Sequence, residues 1–121
     1  MILIVDNDSG VLEMLSEHLK KRGYMVRTAH TTVDAYKTVR NPRCKLMILD
    51  LNMPGINGAE LLLLMASESI DVPTIVTASG IPDLTEEEME QFPHVVGFIK
   101  KPYTRDKIFA LIDKHAKKYE G

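Results

Sequence analysis

Residues 1–8 read Met-Ile-Leu-Ile-Val-Asp-Asn-Asp (MILIVDND), five apolar residues followed at once by three polar ones. An aliphatic, β-branched run without alternation marks a strand covered on both faces, as inside a parallel sheet. Such a strand hands its last residues to the edge of the sheet. Asp6, Asn7 and Asp8 therefore stand where a buried element meets solvent, and the rest of the chain decides what they do there.

The same kind of run returns at YMVRTA (24–29), KLMILD (45–50), PTIVTA (73–78) and VVGFIK (95–100). Stretches of helical period lie between them. The first carries Val11, Leu12, Leu15 and Leu19 on one face, with Asp8 or Ser9 as its cap and Lys20 to Arg22 and Gly23 at its close. Further on, Leu61 to Leu64 and Met65 read as a buried helix face preceded by turn glycines Gly55 and Gly58. Thr85 opens a capping box with Glu88, in a short acidic helix that ends before Pro93. Thr104 precedes Ile108, Phe109, Leu111 and Ile112 at core spacing. Strict alternation predicts a single α/β domain over residues 1–121, with a five-stranded parallel sheet and helices on both faces.

With 121 residues, 45% hydrophobic and 26% charged, the chain can bury one core and has no room for a second domain. A net charge of −2 argues against direct nucleic-acid binding and against an anionic membrane surface. Basic residues cluster at Lys20, Lys21 and Arg22 and at Lys114, Lys117 and Lys118, late in helical patterns where they suit the helix dipole. Cys44, the only cysteine, has no internal disulfide partner. MILIV has no basic leader and is too short to span a membrane, so a cytoplasmic location is expected. His18, His30, His94 and His115 show no metal-ligand spacing and read as surface or capping residues.

In an open doubly wound sheet, ligands bind outside the carboxyl ends of the strands. Asp6 to Asp8 end the first strand, Asp50 the third, Thr77 the fourth, and Lys101 follows the fifth. Their chemistry is complementary. Carboxylates supply hard oxygen ligands for Mg²⁺, a hydroxyl donates to an oxyanion, and an ammonium pairs with phosphate. Together they describe a phosphoryl-transfer site. Each residue alone has a plainer use: an Asp caps a turn, a Lys sits in solvent, a Thr forms strand and a Phe packs a core.

Taken in order, MILIVDND, MILDLNMPGINGAE, TIVTASG and GFIKKPY give the whole chain a close resemblance to the receiver domains of bacterial response regulators. That resemblance implies a single doubly wound (βα)5 flavodoxin-like domain with strand order 2-1-3-4-5, and a phosphoacceptor switch of a two-component system or phosphorelay. Asp50 would take a phosphoryl group from a sensor histidine kinase or phosphotransfer domain. The implied cofactor is Mg²⁺, with Mn²⁺ as the alternative, held by Asp6, Asn7, Asp50 and the backbone carbonyl of Asn52. Thr77 and the amide of Ala78 would bind the phosphoryl oxygens together with Lys101, and the Lys101–Pro102 bond is cis in the family. Thr77 and Phe98 would form the switch that alters the surface of the fourth helix, fifth strand and fifth helix for a downstream output protein or domain. Such a protein is a signalling switch, catalysing only its own phosphorylation and dephosphorylation. Lys101 should couple to the phosphoryl charge and not to the core, so its removal should leave folding intact.

Other classes fit less well. A flavodoxin-like cofactor binder would carry a Ser/Thr/Gly-rich loop where this chain has Asp6 to Gly10. An aspartyl phosphatase would use Asp6 with Asp8 and leave Asp50 without a role. The nearer alternative is a receiver-like protein-binding module that is not phosphorylated. Three departures from the family pattern bear on this choice: Asn7 stands at a usual acid, Phe98 at a commoner tyrosine, and the fourth helix is short. No output domain follows Tyr103 to Gly121, which leaves a stand-alone receiver or one domain of a larger protein.

Overall fold

The computed structural model describes residues 1–53, 57–80 and 84–116. Gly55, Lys117 and Lys118 lie outside the described residues. Strands β1 (Ile2–Val5), β2 (Val26–Ala29), β3 (Leu46–Asp50), β4 (Thr74–Ala78) and β5 (Val95–Lys100) alternate with helices α1 (Ser9–Lys21), α2 (Thr32–Val39), α3 (Gly58–Ser67), α4 (Glu86–Glu90) and α5 (Arg105–Ala116). All pairings are parallel, and the sheet order is β2-β1-β3-β4-β5. Every residue of β1, β3 and β4 is buried, as unbroken apolar runs in a sheet covered on both faces require.

Strand alternation sorts the core into two layers. Leu3, Val5, Met47, Leu49 and Val76 meet α2, α3 and α4 through Ala35, Val39, Leu61, Leu62, Met65 and Met89. Ile2, Ile4, Leu46, Ile48, Ile75 and Ile99 meet α1 and α5 through Leu12, Leu15, Leu19, Ile108 and Ile112. Helix ends follow their local signals. Asp8, not Ser9, caps α1, its side chain accepting from the Gly10 and Val11 N–H groups. Gly23 takes φ +91° just past Arg22, as the left-handed position after a helix favours. Thr85 and Glu88 form the reciprocal capping box of the one-turn helix α4.

Three sequence expectations are corrected. Leu63 and Leu64 are exposed at 57% and 38%, because successive helix positions turn by about 100° and only Leu61, Leu62 and Met65 face the sheet. Gly58 is not a turn residue but the first residue of α3, and a Cβ there would lie 2.8 Å from both the Asp50 carbonyl oxygen and the Leu51 Cα. The helix can start that close to β3 only on glycine. His94 and His115 are buried instead of lying on the surface, while His30 is exposed and His18 stacks on Phe109 at 4.5 Å. No helix among the described residues is long and apolar enough to cross a membrane.

Candidate functional site

Asp6, Asp50 and Thr77 come together because three adjacent strands end side by side. β1 lies beside β3, and β3 beside β4 with Asp50 in register with Thr77. Alternation carries all three side chains to the α1/α5 side of the sheet, since each follows a residue that faces the other layer. All three are buried, Asp6 at 3% and Asp50 at 2% exposure. Charge buried to that extent needs a partner.

Lys101 supplies it. The backbone N–H of Lys101 donates to the Ala78 carbonyl at 2.7 Å, fixing the start of the β5–α5 connection against the end of β4. Its Nζ then reaches Asp6 Oδ2 at 2.8 Å and Asp50 Oδ2 at 3.3 Å, and the Lys101–Pro102 bond is cis. Burial pushes the Asp6 carboxyl above its ordinary value, against the Lys101 hydrogen bond and the Asp8 N–H that its other oxygen accepts at 2.9 Å. For Lys101 burial alone would lower the pKa, but the hydrogen bond to Asp6 and the attraction of both carboxylates together raise it. The ammonium therefore stays charged, and one cation serves two carboxylates.

Thr77 Oγ1 is buried and has no hydrogen-bond partner among the described residues. A buried hydroxyl without a partner is costly unless something else engages it. It lies at the strand end that also holds Asp50. Asn52 sits just beyond β3; its N–H donates to Asp50 Oδ1 at 2.9 Å, which steadies the carboxylate. Asn7 is exposed, and its side chain makes no hydrogen bond or ion pair among the described residues. Phe98 is partly buried on the opposite side of the sheet, packed with the Val76 and Ala78 layer. The structure thus gathers Asp6, Asp50, Thr77, Ala78, Asn52 and Lys101, and holds Asn7 and Phe98 apart from the ion pairs.

Two residues near the site were not singled out in the sequence. Ser79 donates both its N–H and its hydroxyl to Asn52 Oδ1, at 2.7 and 3.3 Å. Tyr103 is half-buried, and burial raises its phenol pKa, reinforced by Asp6, Asp50 and Asp8 and opposed by Lys101. Both lie within the TIVTASG and GFIKKPY segments, but their placement depends on how separate loops meet. With Lys101, Val11 and Met14 they line an open groove of about 580 Å³ beside the ion pairs.

The metal-ligating atoms that the sequence placed around Asp50 are all oxygens. Two carboxylates that converge on one ammonium can also converge on a hard dication, and the Asn52 carbonyl and the Asn7 amide would add neutral oxygens. The set fits Mg²⁺ in kind but is low in charge. Among the described residues no group of three or more His, Cys, Asp or Glu is placed to hold a metal.

A domain with this sheet order and this strand-end cluster is a receiver module. Residues 2–113 match the family model for the response regulator receiver domain, and the chain belongs to that family, the switch modules of two-component signalling. It is 34% identical over 116 residues to sporulation initiation phosphotransferase F of Bacillus subtilis, covering 94% of this chain and 91% of that protein. It is 31% identical over 114 residues to the transcriptional regulatory protein GlrR of Escherichia coli, covering 93% of this chain but 25% of that regulator. The chain thus spans about a quarter of the transcriptional regulator. The non-phosphorylated receiver domain of HemR from Leptospira biflexa superposes with a TM-score of 0.80 at 27% identity, covering 93% of this chain and 90% of that one.

Proposed function

We propose that residues 1–121 act as one phosphoacceptor domain in which Asp50 is the nucleophile, Lys101 its cationic partner, and Thr77 with the Ala78 N–H the donors to the transferred group. The observation that carries this reading is the buried, partnerless Thr77 hydroxyl in register with a buried carboxylate already paired to an ammonium. Attack by one anion on another is resisted by charge, and the chain answers that resistance with the positive charge of Lys101 and with donors on the adjoining strand end. An Asp50 carboxylate oxygen attacks phosphorus in line, forming the P–O bond as the P–N bond of a phosphohistidine breaks. The imidazole leaves with that electron pair, and Lys101 stays protonated beside the carboxylate that now bears the phosphoryl group. Hydrolysis reverses the modification when water attacks phosphorus and Asp50 leaves as a carboxylate. Asp6, Asp50, the Asn52 carbonyl and Asn7 would hold Mg²⁺, or Mn²⁺, which supplies charge neutralisation of the phosphoryl oxygens when bound.

Output follows from the geometry of β4. Thr77 faces the site while its neighbour Ala78 packs in the layer that contains Phe98, so a shift of the strand end reaches both faces of the sheet. Beside Phe98 a groove of about 270 Å³ runs between α4 and β5, bounded by Glu86, Met89, Glu90, Val95, Val96 and Gly97. A downstream protein or domain would meet that surface, and a sensor histidine kinase or phosphotransfer domain would meet the open end bearing Asp50. The test is intact-mass measurement after incubation with acetyl phosphate and Mg²⁺. One added phosphoryl group is expected on the wild type and none on Asp50→Asn. Equal labelling of both proteins removes Asp50 from its role, and no labelling of either favours the unphosphorylated binding module.

A further inference from the structure

Asn52 makes two hydrogen bonds that phosphoryl transfer does not call for. Its Oδ1 accepts from the Ser79 N–H at 2.7 Å and the Ser79 hydroxyl at 3.3 Å, while its own N–H donates to Asp50 Oδ1 at 2.9 Å. One exposed residue thereby ties the nucleophile's carboxylate to the loop that follows β4. Upstream of Ser79 the chain is held in the sheet: the Leu51 N–H donates to the Thr77 carbonyl at 2.8 Å and the Lys101 N–H to the Ala78 carbonyl at 2.7 Å. Ser79 is the first residue beyond that ladder, and Gly80 after it takes φ +63°, a conformation that other residues adopt rarely.

We propose that the Asn52–Ser79 hydrogen bonds are a latch that holds Ser79, the first residue after β4, in its resting position and sets how readily the protein enters its phosphoryl-bound state. This rests on the reading of Asp50 as the phosphoacceptor. In the resting structure the Thr77 hydroxyl has no partner, so a group carried on Asp50, in register with it, would draw the end of β4 toward itself. Thr77 and Ala78 pass such a shift along the backbone to Ser79, where Asn52 resists it. A contact present only in the resting state adds its free energy to that state, and its loss raises the population of the other. Asn52 is in this sense a positioning residue, acting through Ser79 and not through the reacting atoms.

The test compares wild type, Asn52→Ala, Ser79→Ala and the double variant by NMR, first in chelator and then during titration with beryllofluoride and Mg²⁺. In chelator the amides of residues 77–80 in Asn52→Ala should move along the line that joins resting and beryllofluoride-saturated wild type. Its beryllofluoride midpoint should fall by about two- to tenfold, the worth of one or two exposed hydrogen bonds. Ser79→Ala loses only the longer bond and should change the midpoint by about twofold or less, with no further effect in the double variant. Mg²⁺ titration without beryllofluoride separates a changed loop from a changed metal site. A gain that vanishes after that correction, unchanged resting amide shifts, or effects that simply add all overturn the latch. Should wild type bind neither beryllofluoride nor a phosphoryl group, the phosphoacceptor reading fails. The latch then stands or falls on whether Asn52→Ala speeds hydrogen exchange of the Ser79 amide in the resting protein.

Discussion

Thr77 Oγ1 and His94 Nε2 are both buried without a hydrogen-bond partner among the described residues, and they lie at opposite ends of the same two strands. Thr77 closes the carboxyl end of β4. His94 immediately precedes β5, where its carbonyl accepts the N–H of Thr74, the first residue of β4. The surroundings differ. Thr77 stands in register with a carboxylate that pairs with the Lys101 ammonium, and Lys101 lines a groove that opens to solvent. His94 meets the edge of Phe92 at 5.9 Å, with Asp71 as the charge that acts on it. An unpartnered polar atom points to chemistry when complementary charge and an access route accompany it; without them it marks a local cost in packing.

The largest test of that contrast removes the charge from the Thr77 end. Lys101→Ala leaves Asp6 and Asp50, both nearly fully buried, facing one another without their cation. Loss of one partner from a fully buried pair costs about 3 to 5 kcal/mol. With Lys101 partly exposed and Asp6 free to take up a proton, about 2 kcal/mol at neutral pH is expected. Because the Lys101 pKa is raised, its contribution is complete below the unfolded value of 10.5 and lost as pH rises through the folded one. The measurement decides between two expectations for Lys101→Ala, intact folding if the lysine serves only the phosphoryl charge and a loss of stability if its two salt bridges also support the fold. Urea denaturation in chelator should show the loss, and added Mg²⁺ should restore part of it. Unchanged stability in chelator would mean that the carboxylates need no counter-charge and that the two ends do not differ as described.

A smaller change adds charge at the same end. Asn7→Asp adds a third carboxylate to the proposed Mg²⁺ ligands, and at an effective dielectric near 20 a 4 Å pair interacts by roughly 4 kcal/mol before desolvation. Repulsion among the carboxylates and dehydration of the ion remove much of that. About tenfold tighter Mg²⁺ binding is expected, a gain of roughly 1.4 kcal/mol. Calorimetric titration reads it directly. Thermal melts in chelator should show the metal-free variant less stable, though by less than Lys101→Ala, since Asn7 is exposed and water screens it. Equal affinity in both proteins would remove position 7 from the ligand set.

What could be read from the sequence follows from what each feature depends on. The strands were legible because continuous apolar runs have few other uses, and the neighbourhood of Asp6, Asp50 and Thr77 followed once β1, β3 and β4 were adjacent. Gly58 was misread because its constraint is a 2.8 Å approach to β3, which no local pattern records. Four consecutive leucines hid which of them face the sheet, since the period can be read only from where apolar residues stop. Ser79 escaped notice because its partner Asn52 is 27 residues away in another loop. The histidines show the same limit, because their burial is decided by the packing of Phe92 and α5 and by nothing in their own spacing.

His94 supplies the smallest and most specific test, at the end of the strands where no chemistry is expected. Burial lowers its pKa below the ordinary 6.5, with Asp71 opposing, so the folded protein favours the neutral ring. For a base whose folded pKa is depressed, the unfolded chain takes up the proton first. Stability is complete above 6.5 and is lost as pH falls through the folded value. His94→Leu removes both the titration and the partnerless Nε2. It should therefore melt at or slightly above the wild-type temperature at neutral pH and lose part of the downward slope on the acid side, with phosphoryl labelling at Asp50 unchanged. Melts across that pH range, run beside the intact-mass assay, read both. A variant that kept the wild-type slope would locate the acid sensitivity elsewhere. One that changed the labelling would show that the two ends of β4 and β5 communicate, and the contrast between Thr77 and His94 would then be one of degree.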